Sequence, residues 1–179
     1  LTRRGAFEKL PSIFSTIEER ARHLEGFIRG YAHFAKLPMP RTEAIAWPEF
    51  VARLRSQIPF EVDGELPEAM ARFDIAQMEQ ALLNLLKNAH ESGSTPENVC
   101  LRVRQQSGLL RIEVLDRGPG MSEAVLSNAL VPFYSTKRSG TGLGLALARE
   151  IAEAHGGRIS LGNRDGGGLA VAMVLPVEK

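Results

Sequence analysis

From residue 10 onward, Leu10, Phe14, Ile17, Ala21, Leu24, Ile28, Tyr31 and Ala35 recur at alternating steps of four and three, and Ile13, Phe27 and Phe34 widen the stripe. This is the spacing of a helix packed against other helices, and its breadth suits a bundle better than a two-stranded coil. Pro11 fits the first turn, whereas Pro38 and Pro40 stop the helix. A core helix folded onto its own domain is the alternative. Heptad spacing held over nearly four repeats and then broken by LPMP instead describes a separate helix that needs partner helices. Residues 1–38 are therefore expected to dimerise.

Residues 39–57 read as a linker with a short helix near Pro48–Gln57, and after them the hydrophobic period changes repeatedly. IPFEVDG and ARFD have the pattern of strands, and VCLRVRQQSGLLRIEVLD that of two strands around a QSG turn. Asp74 is a good N-cap, with Gln77 completing a capping box, for a helix running to about Glu91. MSEAVLSNALV predicts a helix capped by Ser122, and LGLALAREIAEAHGG an apolar helix ended by glycine. RISLGN and LAVAMVLP are two final strands joined by RDGGG. Hairpins and crossovers in mixed order predict an α+β domain over residues 58–179, a two-layer sandwich with helices on one face of a mixed sheet.

Composition removes several classes of function. Basic and acidic residues number 22 and 21 and are spread along the chain, with no block to grip nucleic acid or anionic lipid. The single Cys100 cannot form an internal disulfide and suits a small core position in a reducing compartment. No apolar run approaches the roughly 20 residues that cross a bilayer. The start LTRRGAF lacks the core of a signal peptide, and its direct entry into a helical pattern gives the expectation of a piece of a longer protein.

The helix from Ile75 to Glu91 poses the chemical question. On a helical wheel Ile75, Met78, Ala81, Leu82, Leu85, Leu86 and Ala89 fill one apolar arc, and Gln77, Asn84, Asn88 and Glu91 align opposite. Such a stripe is either a solvated outer face or a set of amides converging on one ligand or cation. In LDRGPGM, Asp116 ends an apolar strand before Gly118 and Gly120. That is either a plain turn or a carboxylate facing a ligand amine, with bare backbone closing over the ligand. In KRSGTGLGLALARE, Gly140, Gly142 and Gly144 lead into a helix whose free N–H groups favour an anion. No GKS or GKT follows, and Leu145 stands where a dinucleotide fingerprint needs glycine.

In their fixed order, NxxxN on a helix, DxGxG after a strand, PFYSTK and GTGLG opening a helix resemble the ATP-binding domain of sensor histidine kinases. That domain belongs to the wider family shared with gyrase, heat-shock-90 and mismatch-repair ATPases, with its Bergerat-type fold. The resemblance covers about residues 58 to 177, the heptad helix resembles the second dimerisation helix of such kinases, and YAHFAKLPMPR and NLLKNAHESG look most like the nitrogen-regulation branch.

The resemblance implies that Asn88 coordinates Mg²⁺ bridging the ATP phosphates, with Asn84 and Glu91 lining the same pocket. It implies that Asp116 binds the adenine amine, with Gly118 and Gly120 giving close approach. Phe133 and Lys137 fall in the family's F box, within a lid from about Met121 to Thr141, and Lys137 is expected to reach the terminal phosphate. Gly140, Thr141, Gly142, Leu143 and Gly144 form the implied phosphate loop. Where the hydrolytic relatives carry a glutamate as general base, this chain has Asn84, which cannot take a proton at neutral pH. Leu169 stands where the family more often has Thr or Ser, which gives the expectation of modest ATP affinity.

The family's acceptor histidine is followed by an acidic residue, with proline five residues after the histidine. His33 has Pro38 at that distance but is followed by Phe34, and His23 has no such proline. His90 and His155 fall on helices of the nucleotide domain, as structural or surface residues. The expectation is a truncated kinase core whose first helix, carrying the acceptor, lies upstream. By resemblance it is a homodimer through its helical bundle, relays phosphate to a response regulator receiver domain and has a cytoplasmic catalytic portion. A membrane, such as the inner membrane, enters only through upstream segments. A hydrolytic ATPase of the same fold and a non-catalytic nucleotide-binding scaffold are the competing readings.

Overall fold

The computed structural model describes residues 37–137 and 140–177, together with 13–15, 17, 18, 21 and 28. Of the heptad stripe, Phe14, Ile17, Ala21 and Ile28 are helical and exposed, with Phe14 at 64% and Ile28 at 58%. Leu10, Leu24, Tyr31 and Ala35, and with them His23 and His33, lie outside the described residues.

The chain then runs β1 (Glu43–Ile45), α1 (Trp47–Arg55), β2 (Glu61–Val62), β3 (Ala71–Phe73), α2 (Ile75–His90), β4 (Cys100–Gln106) and β5 (Leu109–Leu115). It continues through α3 (Glu123–Leu126), α4 (Gly144–Ala154), β6 (Arg158–Asn163) and β7 (Leu169–Pro176). Five strands form a mixed sheet in the order β2-β4-β5-β7-β6, parallel only between β2 and β4. Alternation along the strands sends Leu101, Val103, Leu110, Ile112, Val114, Val171 and Met173 into one core with Met78, Leu82, Leu85 and Leu86 of α2 and Ala148 and Ile151 of α4. The second face carries Arg102 between the carboxylates of Asp63 and Glu113, with Arg111 also on Glu113 at 2.9 Å. The helices thus cover one face of a mixed sheet, as the order of elements requires.

Residues 39–57, read as a linker and short helix, contribute Ile45, Trp47, Phe50, Val51 and Leu54 to the same core. Trp47, Phe50 and Phe73 meet edge-on or tilted at centroid distances of 4.9–6.1 Å. β1 pairs antiparallel with β3, Glu43 opposite Phe73 and Ile45 opposite Ala71. This strand has no period of its own in the sequence; it exists because β3 offers it an edge.

Two local expectations are revised. Asp74 caps α2 through Oδ1, which accepts from Gln77 N–H at 3.0 Å, but the reciprocal half of the capping box is absent. The Gln77 amide instead donates to Pro38 O at 2.9 Å, and Asp74 N–H donates to His155 Nε2 at 3.0 Å. Gln77 is consequently only 6% exposed and does not belong to the asparagine stripe. The helix predicted over Met121–Val131 is limited to Glu123–Leu126. Ser127 Oγ and Asn128 Nδ2 bond back to the carbonyls of Glu123 and Ala124, and tighter i−3 bonds follow, so the side chains compete with the regular ladder. Cys100 sits half-buried on β4, where burial and the Asp63 carboxylate push its thiol up.

Candidate nucleotide site

A cavity of about 720 Å³ opens between the polar side of α2, the Asp116–Met121 loop and the start of α4. Its floor is sheet: Val114, Leu169 and Val171 line it from β5 and β7. Asp116, one residue past the end of β5, is 5% exposed yet faces this space. Its Oδ1 accepts from Gly118 N–H at 2.8 Å and Leu169 N–H at 3.2 Å. No donor among the described residues reaches Oδ2, and that oxygen is free to take a ligand N–H. A buried carboxylate whose first oxygen is fixed by backbone presents the second as a directed acceptor.

Gly120 and Gly118 behave differently. Gly120 lines the cavity at φ +73°, a conformation that favours glycine. Gly118, expected to approach the ligand, does not line it: a Cβ there would stand 2.5 Å from Ser92 Oγ, so its small size serves the packing of the loop on the end of α2.

At the far end, Asn84 and Asn88 line the cavity beside the start of α4. A Cβ on Gly144 would lie 3.6 Å from Asn88 Nδ2 and 3.8 Å from Asn84 Cβ. Leu143 offers no side-chain cap, and the first-turn N–H groups of this eleven-residue helix are left for an anion. Leu143 is itself buried, its N–H donating to Thr141 Oγ1 at 3.4 Å. Gly140, Thr141 and Gly142 line the cavity before it. Gly142, at φ +67°, packs so closely that a Cβ would stand 2.4 Å from the Phe133 carbonyl carbon, and its own carbonyl accepts Phe133 N–H at 3.0 Å. Phe133 does not line the cavity and is 46% exposed.

Glu91 and Lys137 both line the cavity and form an ion pair at 2.6 Å. The lysine expected at a terminal phosphate is thus held by a carboxylate, in an exposed pair of low energetic worth that a phosphate can replace. Lys87, one turn from Asn84 and Glu91, adds a second cation that periodicity did not single out. Met121, Val125 and Tyr134 fall in the expected lid but were not singled out within it, and Leu145 was not expected as a lining residue, since apolar side chains in a ligand cavity read like those of any core.

For a divalent cation the donor set is sparse. Among the described residues no group of three His, Cys, Asp or Glu could hold a metal. The Asn88 amide, supplemented by ligand phosphates and water, fits Mg²⁺, which is commonly bound through few protein oxygens. His90 and His155 are engaged elsewhere: His90 Nε2 lies 2.7 Å from Pro59 O, and His155 bridges the Ile151 carbonyl and Asp74 N–H.

Residues 73–179 match the family described as histidine kinase-, DNA gyrase B-, and HSP90-like ATPase. The chain is 33% identical to the C4-dicarboxylate transport sensor protein DctS of Rhodobacter capsulatus, over 97% of this chain and 27% of that protein. It is 34% identical to the nitrogen regulation protein NtrY of Azorhizobium caulinodans, over 83% of this chain and 21% of that protein. The catalytic domain of the histidine kinase ThkA superposes with a TM-score of 0.64 at 27% identity, over 76% of this chain and 95% of that one. The chain spans about a quarter of the length of these curated relatives.

Proposed function

Since the chain belongs to the histidine kinase-, DNA gyrase B-, and HSP90-like ATPase family and is an ATP-binding catalytic domain of the sensor histidine kinase type, we propose that its cavity takes ATP·Mg²⁺ with adenine at Asp116 and the triphosphate at α4. Asp116 Oδ2 accepts the adenine amine, and Gly120 lets backbone close over the ring. The N–H groups opening α4 receive phosphate oxygens, and Asn88 holds the cation. Magnesium supplies charge neutralisation across the phosphates when bound. Lys137 exchanges Glu91 for the terminal phosphate.

Transfer breaks the bond between the γ-phosphorus and the β–γ bridging oxygen and forms one to a ring nitrogen of a histidine on a helix upstream. ADP leaves, and the ring proton passes to solvent. Asn84 leaves water without a base, which favours transfer over hydrolysis. The exposed Phe14, Ile17 and Ile28 support a homodimer through the N-terminal helix. In the full-length protein the phosphate then passes to an aspartate of a response regulator receiver domain. Among the described residues no helix is long and apolar enough to cross a membrane.

The observation that carries this reading is the Asp116 carboxylate, half committed to backbone and half open to the cavity. Mixing the chain with a polypeptide carrying an upstream acceptor helix and labelled ATP is expected to place acid-labile phosphate on that helix with little free phosphate released. Asp116→Asn should lower ATP affinity by roughly 10- to 100-fold, the scale of one charge-assisted hydrogen bond, with the fold retained by circular dichroism. Affinity unchanged by calorimetry removes Asp116 from the adenine site, and steady phosphate release with no labelled helix favours the hydrolytic reading.

A further inference from the structure

The β6–β7 hairpin end, which the sequence presents only as an RDGGG turn, meets the Asp116 side of the cavity from behind. Asp116 N–H donates to Leu169 O at 3.0 Å, and the Arg164 guanidinium donates to Asp116 O at 2.7 Å. Gly168, at φ +100°, lies so close that a Cβ would stand 2.0 Å from that same carbonyl oxygen. Asn163 reaches the other way. Its Oδ1 accepts Met121 N–H at 2.8 Å, and its Nδ2 donates to Met121 O at 2.7 Å. Gly120 is drawn in so tightly that a Cβ would stand 2.5 Å from Asn163 Oδ1.

One side chain thus satisfies both backbone groups of Met121, as a neighbouring strand would, and fixes where that residue sits and how it is turned. Met121 lines the cavity and is the last residue before Ser122–Lys137, the stretch that carries α3, Phe133 and Lys137. That stretch has no strand partner and leans back on the glycine loop through Phe133 N–H to Gly142 O.

We infer that Asn163 is a positioning residue, the pin that ties the start of Ser122–Lys137 to the rigid sheet and holds Met121 at the purine end of the cavity. The purpose of the pin rests on the nucleotide reading above; its geometry does not. Asn163 does not line the cavity and acts on it only through the one bond that each end of its amide makes to Met121. A surface asparagine of no consequence would predict instead that its loss changes nothing at Met121.

Hydrogen exchange on the whole chain, read at single-amide resolution, separates these. In Asn163→Ala the Met121 amide is expected to exchange at least about tenfold faster, the scale of one neutral hydrogen bond, while the amides of β5 and α2 keep their protection. ADP affinity by calorimetry should fall about tenfold on the same scale. Asn163→Asp retains the acceptor for Met121 N–H and should restore much of the Met121 protection, a rescue that a general loss of stability does not give. Unchanged Met121 exchange in the alanine variant overturns the pin, and so does faster exchange with undiminished ADP affinity. Failure of the unaltered chain to bind ADP overturns the nucleotide reading alone, while Met121 exchange still decides the pin.

Discussion

Gly142 shows how much rests on single positions. Its φ of +67° and the 2.4 Å that a Cβ would leave to the Phe133 backbone exclude any side chain without movement of the loop. Left-handed backbone costs an alanine about 1–2 kcal/mol before any clash is added. Both segments lie at the surface, and the expected relief is displacement of the Phe133 turn rather than unfolding. Gly142→Ala should therefore lower ATP affinity about tenfold or more, the equivalent of that strain, while far-ultraviolet circular dichroism is unchanged; wild-type affinity would show that the loop tolerates the shift. The period of α2 set Asn84, Asn88 and Glu91 on one face and the end of an apolar strand marked Asp116, but only the family resemblance assigned them to a ligand, and Lys137, in a loop without a period, was legible through that resemblance alone. Gly118, Leu143 and Phe133 sit beside the cavity rather than in it. Sequence order places a residue in a loop but does not say which neighbour its backbone meets.

Among elements, the junction of α2 with its surroundings is the most heavily tied. Asp74 Oδ1 caps the helix, Oδ2 accepts Arg41 N–H at 2.9 Å, and its own N–H ends on His155 at the close of α4. Partial burial opposes ionisation, but the N–H groups of Arg41 and Gln77 and the nearby His155 outweigh it and hold the carboxyl below its ordinary value. A group depressed on folding contributes stability that is complete above the unfolded value and is lost as pH falls through the folded one. Asp74→Ala is expected to cost about 1 kcal/mol or somewhat more at pH 7 by urea titration. The gap to wild type should narrow below about pH 4, and a gap that persists unchanged in acid would mean that the carboxylate charge is not what binds Arg41. The periods of α2, α4 and the long strands were readable because each spans several repeats. β1 and the shortened α3 were not, since pairing with β3 makes the one and competition from Ser127 and Asn128 ends the other.

For the molecule as a whole, the segment from Leu37 to Ile45 belongs with the nucleotide domain: Leu37 packs on the core, Pro38 and Arg41 bond to α2, and β1 joins β3. A chain starting at residue 37 is expected to bind ADP and unfold in urea like the longer one. A chain starting at 47 should be less stable by roughly 2–4 kcal/mol, from the lost burial of Ile45 and the lost bonds to α2. In sedimentation the longer chain should be dimeric and the 37-onward chain monomeric; the same oligomeric state for both would remove the exposed heptad face from the assembly. The half-committed carboxylate at the end of β5 has one last effect, on choice among cellular nucleotides. Its open oxygen accepts hydrogen bonds and offers none, so with the purine seated as proposed a guanine, which presents a keto group where adenine carries hydrogens, sets lone pair against lone pair. GTP is then expected to bind more weakly than ATP by calorimetry, and equal affinities would mean that this oxygen does not face the six-position of the purine.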